Sequence, residues 1–342
     1  MKARAISPKP VDVRNRRFGR STCFLCGCRL GAQSRTVEHI FPKWLQERYN
    51  LWNQCLTLVN GTTMPYRSLV VPCCKDCNNR HLSNIEIVMR HAVEAGPLAV
   101  SRLNPIIPFL WLGKIFYGIL YLETILKADR ASKSQRTILH KAALKQLWLH
   151  HQYLQGTRRK IVFTPSLPAS VFVFGTQKPT RVEEQFDFSD LQPALSIAVR
   201  MGDVGVVVAF QDGGTVKQFH DRLRMGNHFR KRLHPIQFAE MAAMISYKAM
   251  LLRSRPLYII GDSSDGIQIA HISGGGLSGR IVFEEWKTRQ FVQVFALYSK
   301  VPFEALYVDE VQHWTYLKNP DGSFPIMHPN SVHPSLLPAE RS

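Results

Sequence analysis

The sequence predicts an α+β protein in two parts, a small cysteine-rich N-terminal domain and a larger α+β domain of unassigned fold. Three observations lead there. All seven cysteines fall between Cys23 and Cys77. The stretch PLAVSRLNPIIP at 97–108 carries three prolines and breaks the chain after that region. Beyond it, helical patterns give way to β-branched and alternating runs with one more helix among them. The boundaries that follow are a basic arm at 1–20, a cysteine domain at 21–96, an α+β accessory or target-recognition domain at 97–317 and a tail at 318–342.

In chain order, the arm carries Lys2, Arg4, Lys9, Arg14, Arg16, Arg17 and Arg20 against a single acid, Asp12. NNRHLSNIEIVMRHAVEAG, from Asn78, reads as a helix with Ile85, Val88, Met89 and Ala92 on a buried stripe and Gly96 as its stop. Two helices are expected at 109–129 and 135–155. SVFVFG, LSIAV and VGVVVAF read as strands, with MGD and QDGG as turns. Pro235 opens a helix over 236–253. PLYII, IQIAHI, RIVFEEW and FVQVFALY read as further strands. The tail, with prolines at 320, 325, 329, 334 and 338, is expected to lack order.

Bulk chemistry narrows the function classes. A chain of 342 residues, 45% hydrophobic, can bury full cores. A formal charge of +19 favours a polyanionic partner, nucleic acid before an anionic membrane surface. The most apolar window, 106–126, is interrupted by Lys114 and Glu123 and reads as a buried helix, so no membrane partner is expected. The first twenty residues hold no apolar export core, which points to a reducing, cytoplasmic setting. Clustered cysteines in that setting bind metal rather than form disulfides.

Two pairs have the spacing that lets thiolates chelate one ion, Cys23/Cys26 in CFLC and Cys74/Cys77 in CKDC. Four thiolates make a closed tetrahedral site of structural type, with Zn²⁺ the expected ion. Cys28 and Cys73 neighbour the pairs without sharing their spacing, and Cys55 stands alone. The gap between the pairs is 47 residues (74 − 26 − 1), far longer than a zinc ribbon needs. Inside it lies TVEHIFPKWL, with Glu38 beside His39. Directly after the last cysteine come Asn78 and Asn79. Each has a plainer reading: Glu38 could pair with Arg35, His39 could be a core histidine, and Asn78 or Asn79 could cap the helix.

Taken together, CFLC, EHIFP and VPCCKDCNN resemble the HNH endonuclease superfamily, the ββα-metal nucleases, in its four-cysteine zinc form, over residues 20–95. The resemblance implies that zinc ties a β-hairpin to a helix while a separate Mg²⁺ or Mn²⁺ serves the chemistry. It implies His39 as general base and Glu38 and Asn78 as ligands of the catalytic ion. His81 and Glu86 are weaker candidates, Glu86 because it lies two turns past Asn79 and could orient the site. The family more often has Asp where Glu38 stands. Its central asparagine is not evident here, since Ser68 holds that place and Asn53 and Asn60 lie earlier.

The expected activity is metal-dependent hydrolysis of DNA, with RNA as the other substrate, by an enzyme similar to those of phage defence and mobile elements. Arg14, Arg16, Arg17 and Arg20 are the expected phosphate contacts. Arg158–Lys160 and the run from Arg222 to Arg232 form two further basic clusters. The competing readings are a non-catalytic zinc-containing nucleic-acid binder and an adaptor whose larger domain meets a protein partner.

Overall fold

The computed structural model describes residues 11–15, 18–129, 136–222, 231–264, 266–272 and 281–331. Residues 1–10, Arg16, Arg17, Arg224, Arg230 and the tail from 332 lie outside the described residues. The fold is mixed α+β and carries a four-cysteine group.

Along the chain come strand β1 (Arg35–His39), helix α1 (Lys43–Arg48) and strands β2 (Cys55–Thr57), β3 (Thr63–Pro65) and β4 (Val70–Cys74). A wide π-type turn over Cys77–Leu82 runs into α2 (Ser83–Ala95), followed by α3 (Pro97–Ser101), α4 (Ile106–Glu123), α5 (Ala142–Gln146) and α6 (Trp148–Leu154). Then come β5 (Ile161–Thr164), β6 (Ala169–Thr176), β7 (Phe186–Leu191), β8 (Ser196–Met201), β9 (Val204–Phe210), α7 (Thr215–Arg222), β10 (Arg232–Leu233) and α8 (Pro235–Met250). Strands β11 (Leu257–Ser263) and β12 (Gly266–Ile272) and helices α9 (Thr288–Ser299) and α10 (Phe303–Leu306) close the order.

Two compact units result. The first comprises Met1–Glu94, Asn104–Pro165 and Tyr258–Ala270. It is larger than the 21–96 expected from the cysteines, because α4 supplies its core. Sixteen of the eighteen residues of α4 are buried, Lys114 and Glu123 among them. Ile106–Glu123 is apolar and long enough to cross a membrane, yet 89% of it is buried inside the protein, as a core helix is. Gly118 allows its close approach: a Cβ there would lie 3.1 Å from the Ile40 side chain.

Helix α6 packs on α4 through His150, whose Nε2 meets the Gly113 carbonyl at 3.0 Å. The pattern expected as one helix over 135–155 is two short ones, α5 and α6, with Leu147 between them. On α2 the buried stripe is Ile85, Met89, Ala92 and Val93, while Val88 is exposed. Gly96 ends that run with φ +96°, a left-handed backbone that glycine takes at little cost.

The second unit comprises Ala95–Leu103, Ser166–Leu257 and His271–Ser342. Its five-stranded sheet has the order β10-β6-β9-β8-β7, and α8 and α9 cover one core with it. Strands β8 and β9 are buried at every position, Ser196 and Arg200 of β8 included. FVQVFALY, expected as a strand, lies in α9. Phe291, Val292, Phe295 and Tyr298 are buried and Leu297 is 61% exposed, a period near 3.6 that alternation had disguised. RIVFEEW is not a strand either: of its described residues only Phe283 makes an isolated bridge, to Leu252. Residues 318–331, expected to lack order, dock instead. Gln237 Nε2 donates to the Pro325 carbonyl at 2.9 Å, and Phe324 and Met327 pack on the core.

Pro235 does open α8, with His234 as its cap: Nδ1 accepts the Ile236 amide at 3.2 Å. Burial holds His234 and His220 near a pKa of about 4, well below the usual 6.5. A histidine depressed in the folded state stabilises fully above 6.5, and that contribution is lost as pH falls from 6.5 towards 4. Protonation of Nδ1 also removes the cap's acceptor. The unfolding midpoint should therefore drop over that window, and His234→Asn, which caps without titrating, should flatten the drop in a circular-dichroism melt series.

Candidate metal centre and the edge beside it

The sulfur atoms of Cys23, Cys26, Cys74 and Cys77 lie within 4.8 Å of one another. A tetrahedral ion with bonds of ~2.3 Å sets its sulfurs about 3.8 Å apart, and Cys26 and Cys74 stand at 3.8 Å. The four residues therefore fit a structural metal such as zinc. Local geometry builds the group. Gly27 at φ +66° turns the first pair back so that its amide meets the Cys23 carbonyl at 2.8 Å. In the second pair the Cys77 amide donates to Cys74 Sγ at 3.4 Å. Cys73 is also 3.8 Å from Cys23 but stands outside the mutual group, and Cys55 is exposed on β2.

The cysteines frame a hairpin. β1 and β4 pair antiparallel, with Arg35 opposite Cys74 and His39 opposite Val70. Pro72 faces Val37 in this ladder, where its missing N–H costs no bond. Both carbonyls serve outside partners: Pro72 accepts the Phe24 amide at 2.9 Å, and Val37 accepts Asn78 Nδ2 at 2.9 Å. Asn78 thus seams the start of the helical segment to β1. Neither asparagine is a helix cap, because the segment already turns at Cys77. The Asn79 carbonyl instead accepts the Ser83 hydroxyl.

Glu38 and His39 take opposite faces of β1. Glu38 is 4% exposed and points inward. Its partner is not Arg35 but Lys114 from α4, with Nζ 2.6 Å from Glu38 Oε1. The same ammonium meets Glu86 Oε1 at 2.6 Å and the His39 carbonyl at 3.0 Å. One buried cation thereby joins the hairpin, α2 and α4. Burial pushes the Glu38 carboxyl up to about 7, opposed by the nearby ammonium. The two carboxylates outweigh the burial of Lys114 and hold it at about 12. The sequence marked Lys114 only as an interruption in an apolar run. A lone lysine inside such a run was the available signal, since a buried ammonium requires an anionic partner.

His39 is half-buried, and that burial, together with Lys43 and Lys114, holds its imidazole below the usual 6.5. It is therefore neutral at physiological pH. Its ring makes no hydrogen bond among the described residues. His81 pairs instead with Asp76, at 3.2 Å.

The expected phosphate contacts are partly engaged. Arg14 forms a two-pronged pair with Asp12, at 2.6 and 3.0 Å, and its guanidinium lies 4.0 Å from the ring centre of Trp148. Arg20 is exposed and donates to the Ile125 carbonyl at 2.7 Å. In the second basic cluster Arg159 is buried against Asp262 at 2.6 Å, and Arg158 binds Gln155. In the third, Arg232 lies 3.7 Å from Asp203. Asn53 and Asn60 hold loops, through Arg67 and Ala128 respectively.

Comparison with protein-family models, curated proteins and solved structures gives no match for this chain.

Proposed function

We propose that this chain is an endonuclease that hydrolyses nucleic-acid phosphodiesters, with His39 as the general base. The observation carrying this reading is the arrangement along β1. Its last residue is a neutral histidine whose ring has no hydrogen bond among the described residues, and Asn78 and the four-cysteine group brace the strand. A neutral imidazole can take a proton from water. The water oxygen then bonds to phosphorus, one P–O ester bond breaks, and the departing alkoxide takes a proton from solvent. The resemblance of CFLC, EHIFP and VPCCKDCNN to HNH nucleases supports the same reading.

The second metal of that family does not fit Glu38 as it stands. Its carboxylate is 4% exposed and closed by Lys114. This favours, as a second reading, a metal-stapled nucleic-acid binder without catalysis. Plasmid DNA incubated with the protein, with and without added Mg²⁺ or Mn²⁺, separates the two. Nicking that falls at least a hundredfold in His39→Ala, in line with loss of a general base, supports the nuclease. Wild-type binding without nicking under any condition supports the binder, and nicking that survives His39→Ala removes the role of His39.

A further inference from the structure

An open cleft lies in the first unit, apart from the cysteines. Its volume is about 960 Å³, and it is lined by Gly19, Arg20, Thr124–Lys127 and Arg136–Lys141 in part. Arg20, Lys127, Arg136 and Lys141 bring four cations to it, and no carboxylate is among the described residues that line it. A cleft with one sign of charge focuses its potential and gathers counter-charge.

The walls are built rather than incidental. Lys127 stands opposite Thr137 in an antiparallel bridge, closed by Ala128 N–H to the Arg136 carbonyl at 2.9 Å and Ile138 N–H to the Leu126 carbonyl at 3.0 Å. The guanidinium of Arg20 is anchored to the Ile125 carbonyl at 2.7 Å, and its loop is tied down by Tyr121 Oη donating to the Gly19 carbonyl at 3.0 Å. His140 Nδ1 accepts the Ala142 amide at 3.2 Å, which leaves Nε2–H as a further donor.

We infer that this cleft binds the phosphate backbone of nucleic acid. Among the described residues that line it there is no Phe, Tyr or Trp on which a base could stack. The donors are those that hold phosphates without reading sequence, and a charge of +19 favours a polymer over a single nucleotide. The choice of nucleic acid rests on the nuclease reading, whereas the anionic character of the ligand does not. The cleft sits at the C-terminal end of α4. Lys114, which braces the His39 carbonyl, lies ten residues earlier on that helix. At 1.5 Å per residue this is ~15 Å along the axis, the length of roughly four nucleotide steps in duplex DNA.

The test uses the full metal-loaded chain and a fluorescein-labelled 24-base-pair duplex, without added divalent ions, over a salt series. Lys127→Glu/Arg136→Glu/Lys141→Glu should bind at least tenfold more weakly, with a log–log salt slope shallower by about 2–3. An equally charge-reversed control on exposed residues of the second unit, Lys178→Glu/Arg181→Glu/Lys318→Glu, should change binding far less. Equal loss in the two variants, or none in the first, overturns the proposal. Should the cleft variant misfold, wild-type protein decides: duplex should shield Lys127 and Lys141 from acetylation, read by mass spectrometry, and unaltered labelling overturns the proposal. Failure of the nuclease reading looks different, namely no nicking by wild type while cleft-dependent binding persists.

Discussion

Replacing Cys74 with serine is expected to release the metal and unfold much of the first unit. The four sulfurs come from two segments separated by 47 residues (74 − 26 − 1), and an ion held by all four would cross-link them. Zinc binding contributes ~10–16 kcal/mol in small zinc peptides, more than the whole stability of a typical domain at ~5–15 kcal/mol. Elemental analysis should give one metal per wild-type chain and well under half of one in Cys74→Ser. Circular dichroism should show the matching loss of structure. Cys55→Ser should keep both, because that thiol is exposed and outside the group. Cys73→Ser is the sharper comparison. Its sulfur is 3.8 Å from Cys23, yet the mutual cluster excludes it. Full metal content in Cys73→Ser and loss in Cys74→Ser confirm the ligand set, and the reverse pattern refutes it.

Lys114→Met should destabilise the first unit by about 3–5 kcal/mol, the usual result of stripping the partner from a buried charge. Here two carboxylates lose it, Glu38 and the 21%-exposed Glu86, and the His39 carbonyl loses a donor. Urea unfolding at pH 7.5 measures the loss. Adding Glu38→Gln and Glu86→Gln should restore most of it, because the neutral amides no longer require a cation. The pH dependence has a defined sign. Lys114 is raised from 10.5 to about 12, so its contribution is complete below 10.5 and is lost as pH rises through 12. Glu38 is raised from 4.5 to about 7, so the folded state binds the extra proton and stability falls as pH rises from 4.5 to 7. In Lys114→Met nothing opposes the burial of Glu38, and that fall should steepen. A variant as stable as wild type, with an unchanged pH profile, refutes the clamp.

Much of this is written in local sequence. The spacing of Cys23, Cys26, Cys74 and Cys77 selects the metal group from seven cysteines, and sulfur chemistry at that spacing has few other uses. Pro235 with Phe238, Met241 and Ile245 marks α8, and the β-branched or alternating runs LSIAV and VGVVVAF mark β8 and β9 as strands. In these cases one short segment contains its own reason. The period of α9 was equally local but ambiguous, since five of its positions are apolar and buried while both alternation and helical spacing fit the string.

What the tertiary structure decided lies in pairings between distant segments. Lys114 and Glu38 are 76 residues apart, and Lys114 and Glu86 are 28 apart. No periodicity links them, and only the burial of α4 beneath the hairpin makes their ion pair necessary. The same holds for Tyr258–Ala270, which joins the first unit because β12 pairs with β5. It holds too for the basic cleft, where Arg20 meets residues more than a hundred positions away. Sequence chemistry singled out the four clustered cysteines. Packing determined that the acid beside the histidine faces a lysine, because a buried carboxylate must find a cation and the core helix supplied one.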